Sequence, residues 1–255
     1  MSAPAASSFT FEPLFLAFAL AGAVLYWRAA RGEDLPRWRA AVFAFGLVLI
    51  AGALNSPLET IAAHYLLLIH LLQNVMIADW APPLLILGLT PRMRGELARL
   101  GGSAFAWIAR PQIALPVWLV AWYGIHLAGF YDFALRNPWI LNLEHLVLVA
   151  VGLLFWWPVL SGQPVDVSVP LKIGYLGAAF VGSVFLGLAL TFSDTPFYDF
   201  YVEAPRLWGL SAAKDQNFGG ILMNAEQSAV FLAAILYFVL RLIPEEERSS
   251  TSASR

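Results

Sequence analysis

The chain has 255 residues, of which 60% are hydrophobic and 13% charged, with a net charge of −2 and a mean hydropathy of +0.70. This composition excludes a soluble globular protein, and the lack of a basic surface excludes nucleic acid as a partner. The absence of cysteine excludes disulfides, thiolate metal sites and covalent haem attachment. We therefore expect an all-α, polytopic protein embedded in a lipid bilayer.

Seven apolar runs are long enough to cross a bilayer core of about 30 Å. They predict a seven-helix membrane domain over 11–243, preceded by a short N-terminus, 1–10, and followed by a disordered polar tail, 244–255. The predicted helices cover residues 11–29, 39–56, 61–81, 112–131, 139–160, 171–193 and 217–243. The third run continues through Pro82 and Pro83, which predicts a kink there.

The basic residues predict the orientation of the chain. Twelve of the 15 lie in the loops 28–39 and 92–110, in the loop before the sixth helix and in the tail. Because such residues concentrate on the cytoplasmic side, we predict an N-terminus outside, a cytoplasmic C-terminus, and a multi-pass protein of a bacterial-type inner (plasma) membrane.

Histidines inside the predicted helices are the main candidates for function, because ionisable groups are costly in lipid. His64, His70, His126 and His145 all fall in the outer half of the predicted bundle. Imidazoles suit copper or zinc, and the thioether of Met223, at a similar depth, would favour Cu(I). We predict these five residues as metal ligands, with copper as the ion, although any single histidine is as well explained as a hydrogen-bonded core residue.

Four polar neighbours are predicted to orient the imidazoles, as metal-bound histidines require. Gln73 and Asn74 share a helix face with His70, and Glu144 adjoins His145, with Asn142 nearby. Helix capping is the alternative role for Glu144.

Further polar residues interrupt the apolar runs of the third and seventh helices. A patch on the seventh helix either points into the bundle or forms a docking face for a partner. It consists of Asn224, Glu226 and Gln227. Asp79 is predicted to be either a buried neutral group or a residue at the inner membrane boundary.

Several short motifs follow one another in an order that carries a family resemblance. They are Asn55-Ser56-Pro57-Leu58-Glu59, His70-Leu71-Leu72-Gln73, Ala81-Pro82-Pro83-Leu84, His126 with Tyr131-Asp132-Phe133, Leu143-Glu144-His145, Phe155-Trp156-Trp157-Pro158, and Trp208-Gly209-Leu210 with Asp215-Gln216. This set, over about residues 45 to 240, resembles the seven-helix cytochrome c oxidase assembly factors of the CtaG type, which are associated with caa-type oxidases.

The resemblance implies a non-enzymatic, chaperone-like membrane protein that helps to assemble a terminal oxidase of the respiratory chain. Its partners would be cytochrome c oxidase subunits, and its role would be to support copper handling or delivery on the outer side. The chain departs from the family pattern at three places where histidine is common. They are Asn74, Asn142 and Gly182. These departures indicate a divergent member.

Two alternative functions stay open at this point. One is a non-catalytic interaction subunit of a respiratory complex with a degenerate metal site. The other is a transporter or a b-haem protein, because paired histidines on different helices can ligate haem. Hydrolase motifs such as His-Glu-x-x-His and Gly-x-Ser-x-Gly are absent from the sequence.

Overall fold

A computed structural model describes residues 3–253, with side chains described up to residue 242. Within this part the chain is all-helical, which confirms the predicted fold class. Its helices are α1 (Pro13–Ala30), α2 (Arg37–Leu54), α3 (Pro57–His64), α4 (Leu67–Val75), a π-turn (Met76–Trp80), α5 (Ala81–Gly88), α6 (Pro91–Ile108), α7 (Pro111–Ile125), α8 (Ala128–Leu135), α9 (Pro138–Leu160), α10 (Val169–Phe192), α11 (Asp199–Glu203) and α12 (Ala212–Ala253).

Six helical segments are long and apolar enough to cross a membrane. A seventh is obtained if α6 and α7, which meet at a bend of 77°, count as one span. The α7 helix alone, at 15 residues, is only about 22 Å long and shorter than the bilayer core.

Three predicted boundaries are wrong. The segment 92–110, expected to be a loop, lies within or beside α6, whose Met93 and Ala98 are buried despite its arginines. The predicted helix 112–131 ends early, at Ile125, and the chain turns before α8. The predicted helix 61–81 is interrupted at Tyr65 and Leu66, so His64 and His70 lie on different helices.

The π-turn, and not a break at the prolines, marks the middle of the third span. Pro82 and Pro83 lie at the start of α5, where Pro82 has no N–H to donate to the carbonyl of Ala78. Helix α9 packs against this point through Gly152, where an added Cβ would collide with the Ala78 carbonyl oxygen. Only a residue without a side chain permits this approach, a packing common between membrane helices.

Two hydrophobic clusters hold the bundle together. The larger is rich in aromatic residues, including Trp118, Phe155 and Phe231, and joins α4, α7, α9, α10 and α12. The smaller joins α1, α2, the π-turn, α5 and α9. Helices α4 and α9 contribute to the larger cluster, and they carry the histidines described next.

Candidate functional site

The structure brings two of the four histidines together. His70 on α4 and His145 on α9 are each 1% exposed, and their ring centroids lie 5.7 Å apart in an edge-to-face arrangement. These two residues are called the histidine pair below. His126, the residue that ends α7, is also buried, and the ring of Tyr131 lies between it and the pair, 5.1 Å from His70 and 5.6 Å from His126.

A chain of hydrogen bonds fixes the tautomer of His70. Tyr201 donates its hydroxyl proton to the carbonyl of Ala62 at 2.6 Å, so its oxygen can only accept from the imidazole at 2.8 Å. His70 therefore carries a proton on Nδ1. Its Nε2 lone pair has no hydrogen-bond partner among the described residues.

His126 reaches the same state by a simpler contact. Its Nδ1 donates to the carbonyl of Trp122 at 2.7 Å, which leaves Nε2 unprotonated. Within residues 3–242, the Nε2 atoms of His126 and His145 are buried and have no partner either. An Nδ1–H bonded to a carbonyl or a hydroxyl, with a free Nε2, is the form in which histidine binds metals.

The other two predicted ligands lie in different surroundings. His64 is exposed at the end of α3, and burial of part of its ring lowers its pKa. Met223 is fully buried in α12 as a member of the larger hydrophobic cluster. Among the described residues there is no group of three or more histidine, aspartate or glutamate side chains arranged to hold a metal ion.

Two of the four predicted orienting residues are engaged elsewhere. Gln73 donates to the carbonyl of Ala53 at 2.8 Å and to the carboxylate of Glu59, a buried residue with no predicted role. Asn142 donates to Glu12 at 2.9 Å. These bonds use the amide donors of both residues, while the Oε1 atom of Gln73 has no partner among the described residues, so the predicted orienting role of Gln73 and Asn142 stays a prediction.

Asn74 and Glu144 behave differently. Both are at least 98% buried, and in the part of the chain that the structure describes none of their side-chain oxygen and nitrogen atoms has a hydrogen-bond partner. They sit on the helices of the pair, Asn74 one turn after His70 and Glu144 next to His145. Such atoms are costly in an apolar interior unless a further group satisfies them.

Two aspartates hold the short helices that carry this arrangement. The carboxylate of Asp215 accepts from the N–H groups of Leu67 and Leu68, both at 2.9 Å, at the start of α4. The carboxylate of Asp132 accepts from the N–H groups of Asp199 and Phe200, at 3.1 and 3.0 Å, at the start of α11. Each carboxylate satisfies donors that the first helical turn leaves free, and thereby fixes His70 on α4 and Tyr201 on α11.

The polar patch of α12 is turned into the bundle. Gln227, 2% exposed, donates to Asp79 at 3.2 Å, and Glu226 accepts from the indole of Trp80. The amide of Asn224 contacts α10, with its nitrogen toward the Val184 carbonyl and its oxygen toward the Leu188 N–H. These residues join helices within the chain, which supports the alternative that the patch points into the bundle, and a docking role for them stays a prediction.

Asp79 is completely buried within the π-turn, which decides between its two predicted locations in favour of the interior. Its Oδ1 atom is without a hydrogen-bond partner among residues 3–242.

Comparison with known proteins places the chain in a family. The family model described as cytochrome c oxidase caa3 assembly factor matches residues 18–245. The chain belongs to this family. Every residue of the site described above except Glu12 lies inside the matched range.

Curated relatives of this caa3 assembly factor are distant and much longer. It is 22% identical to an uncharacterised protein of Mycobacterium leprae over 92% of its length, and 23% identical to uncharacterised proteins of Mycobacterium bovis and Mycobacterium tuberculosis over 73%. It spans only 38% of the first relative and 31% of the other two. No solved structure matches it significantly.

Proposed function

We propose that this caa3 assembly factor binds copper at the histidine pair and passes it to a cytochrome c oxidase subunit. One observation carries the proposal: two buried, adjacent imidazoles with free Nε2 atoms, of which His70 is held by hydrogen bonds to its ring and to the start of its helix. Imidazole nitrogen is a good donor for copper, and the chain has no cysteine that would compete. Copper is here the cargo, and the role requires no catalytic step.

The small number of donors fits a site that releases its ion. A permanent structural site is closed by four protein ligands, whereas two imidazoles leave positions open. A donor from the receiving subunit can enter such a position before the ion leaves. A further donor atom would come from His126 or Met223. The exposed His64 would contact the ion only before it reaches the histidine pair, or would take no part in binding.

The orientation of the chain determines where delivery takes place. We infer from the basic loops that the N-terminus and the histidine pair face the outer side of a bacterial plasma membrane. Single cysteines introduced at Ser8 and Ser250 test this with a membrane-impermeant thiol reagent, since the chain has none of its own. Labelling of position 8 alone in intact cells is expected, and labelling of both would contradict it.

Copper retention by the detergent-purified protein tests the proposed function. The wild type is loaded with Cu(I) under anaerobic reducing conditions, and the copper remaining after gel filtration is measured. We expect His70→Ala combined with His145→Ala to abolish retention, and His64→Ala, the matched change at an exposed histidine, to leave it unchanged. Equal retention by the double variant and the wild type would refute the proposal.

A second candidate is an interaction subunit that binds the oxidase without metal. It is favoured by the lack of a three-ligand group in the described residues. Under this alternative, the His70→Ala, His145→Ala double variant copurifies with oxidase subunits as efficiently as the wild type, and the oxidase still receives its copper.

A further inference from the structure

The N-terminal segment, residues 3–12, lies against the end of the bundle next to the histidine pair. The Ser8 carbonyl accepts from the hydroxyl of Thr60 at 2.8 Å, and the Glu12 N–H donates to Asn55 at 2.7 Å. Tyr65 also donates to the carbonyl of Pro4. The segment leads directly into α1, whose buried Phe15 packs 6.1 Å from the ring of His145.

Three glutamates mark a line from this segment to the pair. Glu12 is half-buried at the edge of the segment, where its carboxylate accepts from Asn142 at 2.9 Å. Glu59 is 4% exposed, bonded to Gln73 on the helix of His70. Glu144 is 2% exposed and directly precedes His145.

The three carboxyl groups are close enough for neighbouring charges to interact. Burial raises the pKa of Glu59 to about 7, against the lowering effect of its hydrogen bond from Gln73, and the negative charge of Glu12 raises it further. Glu144, next to His145 on α9, is the most deeply buried of the three. The order Glu12, Glu59, Glu144 thus runs from the half-exposed edge to the buried pair.

This line lacks a positive charge. The ion pairs among the described side chains are Arg92 with Glu33 and Glu96, and Arg136 with Glu203, and none of them includes a glutamate of the line. Both oxygens of Glu144 and both polar atoms of Asn74 lack partners within the described residues. A buried carboxylate without a counter-charge is unfavourable, so the group takes up a proton, which a cation arriving along the line can replace as the counter-charge.

Carboxylate oxygens are suitable ligands for a metal cation that has to move from one site to the next. Carboxylate oxygens bind copper less tightly than imidazole nitrogens, and a site for transit must bind weakly enough to release its ion. The ion therefore gains affinity when it moves from Glu144 to the adjacent His145. We propose that Glu12, Glu59 and Glu144 form a carboxylate path along which a metal cation travels between the aqueous edge and the histidine pair.

This inference rests on the proposed function, and the rate of loading separates the two. Purified protein is mixed anaerobically with Cu(I) in ascorbate, and the bound copper is followed over time. Glu59→Gln keeps the shape of the side chain and removes its charge, so we expect loading at least about tenfold slower, with the same final copper content. Glu12→Gln should slow loading less and weaken its dependence on salt. Glu96→Gln, a change at a surface glutamate of α6, is the control and should load as the wild type does.

Each result bears on the path. Loading of Glu59→Gln at the wild-type rate overturns it, while copper retention and the proposed function stand. No copper in the wild type overturns both. Should Glu59→Gln fold poorly, Glu59→Asp decides, because it keeps the charge: fast loading supports the path, and loading as slow as in the Gln variant assigns Glu59 a packing role and overturns it.

Discussion

The carboxylate of Asp215 accepts a hydrogen bond from the backbone N–H of Leu67, which lies 148 residues earlier in the chain. With the second bond, to Leu68, it caps a helix that begins inside the protein, where no water is at hand for the free N–H groups. The interruption of the third span at Tyr65 and Leu66 is therefore stabilised by the last helix of the bundle.

Replacing Asp215 should destabilise the protein. Asp215→Ala leaves two buried N–H groups unsatisfied and should lower the free energy of unfolding by about 2 to 4 kcal/mol, whereas Asp215→Asn, which keeps one acceptor, should cost roughly half as much. Chemical denaturation in detergent measures both variants. Unchanged stability of Asp215→Ala would show that the cap contributes nothing.

Removing the hydroxyl of Tyr201 should weaken copper binding. Tyr201→Phe takes away the acceptor that holds the Nδ1 proton of His70, and the loss of such a partner lowers metal affinity by roughly tenfold or more. Tyr198→Phe is the matched control, because Tyr198 donates only to the backbone carbonyl of His126. Competition with a Cu(I) chelator gives both affinities, and an equal loss in the two variants would contradict a specific role for Tyr201.

An added imidazole should strengthen the site. Asn74 lies one turn after His70, and among the described residues its amide has no partner to lose. Asn74→His would let two imidazoles of α4 bind one ion, so we expect tighter copper binding in the same competition assay. Unchanged affinity would mean that position 74 does not face the ion.

The contact of Gly152 with the π-turn should tolerate no side chain. In Gly152→Ala the new methyl group meets the Ala78 carbonyl oxygen, and we expect a loss of about 1 to 3 kcal/mol in stability. Gly124→Ala is the control, since nothing in the described chain lies within 4 Å of an added Cβ there. That variant should be neutral or slightly stabilised by its helix propensity. Thermal unfolding compares the two, and equal midpoints would refute the tight contact.

The stability of the protein should depend on the ionisation of Glu59. Its pKa rises from the ordinary value of 4.5 to about 7 on folding, so between these values the folded state binds more protons than the unfolded state. Stability is therefore complete below about pH 4.5, falls as the pH rises to about 7 and then levels off as far as this group is concerned. The charged or polar groups facing it are Glu12, Glu144 and Gln73.

Glu59→Gln isolates this contribution because it cannot titrate. The unfolding midpoint of the wild type, followed from pH 5 to pH 8, should decline more steeply than that of the variant. Parallel curves would mean that Glu59 has the same proton affinity in both states.

The sequence alone predicts those parts of the fold that local patterns determine. Helices α9 and α10 agree with the expected 139–160 and 171–193 within two residues, because a long and mostly apolar run follows a proline at the first turn. The depth of His70 and of His145 was likewise estimated from each helix alone, and their rings lie 5.7 Å apart. In each of these cases the information lies within one or two segments.

Features that depend on distant residues were missed. The apolar run through Tyr65 and Leu66 gives no sign of a break, because the cap that permits it is Asp215. The arginines of α6 made this segment resemble a polar loop, because few residues of the helix are buried. The bonds that occupy Gln73 involve Glu59 and a backbone carbonyl, which no helical spacing relates to it.

The cap at α4 also sets the order in which the protein can mature. His70 is made early in translation, yet its helix is capped by Asp215 and its imidazole is held by Tyr201, both from the last quarter of the chain. A nascent chain with only its first spans inserted therefore contains His70. It still lacks His145 and both of the residues that support His70. Under the proposed copper-binding role, the candidate site would therefore be complete only after α12 has entered the membrane, and a chain without α12 would not capture the ion.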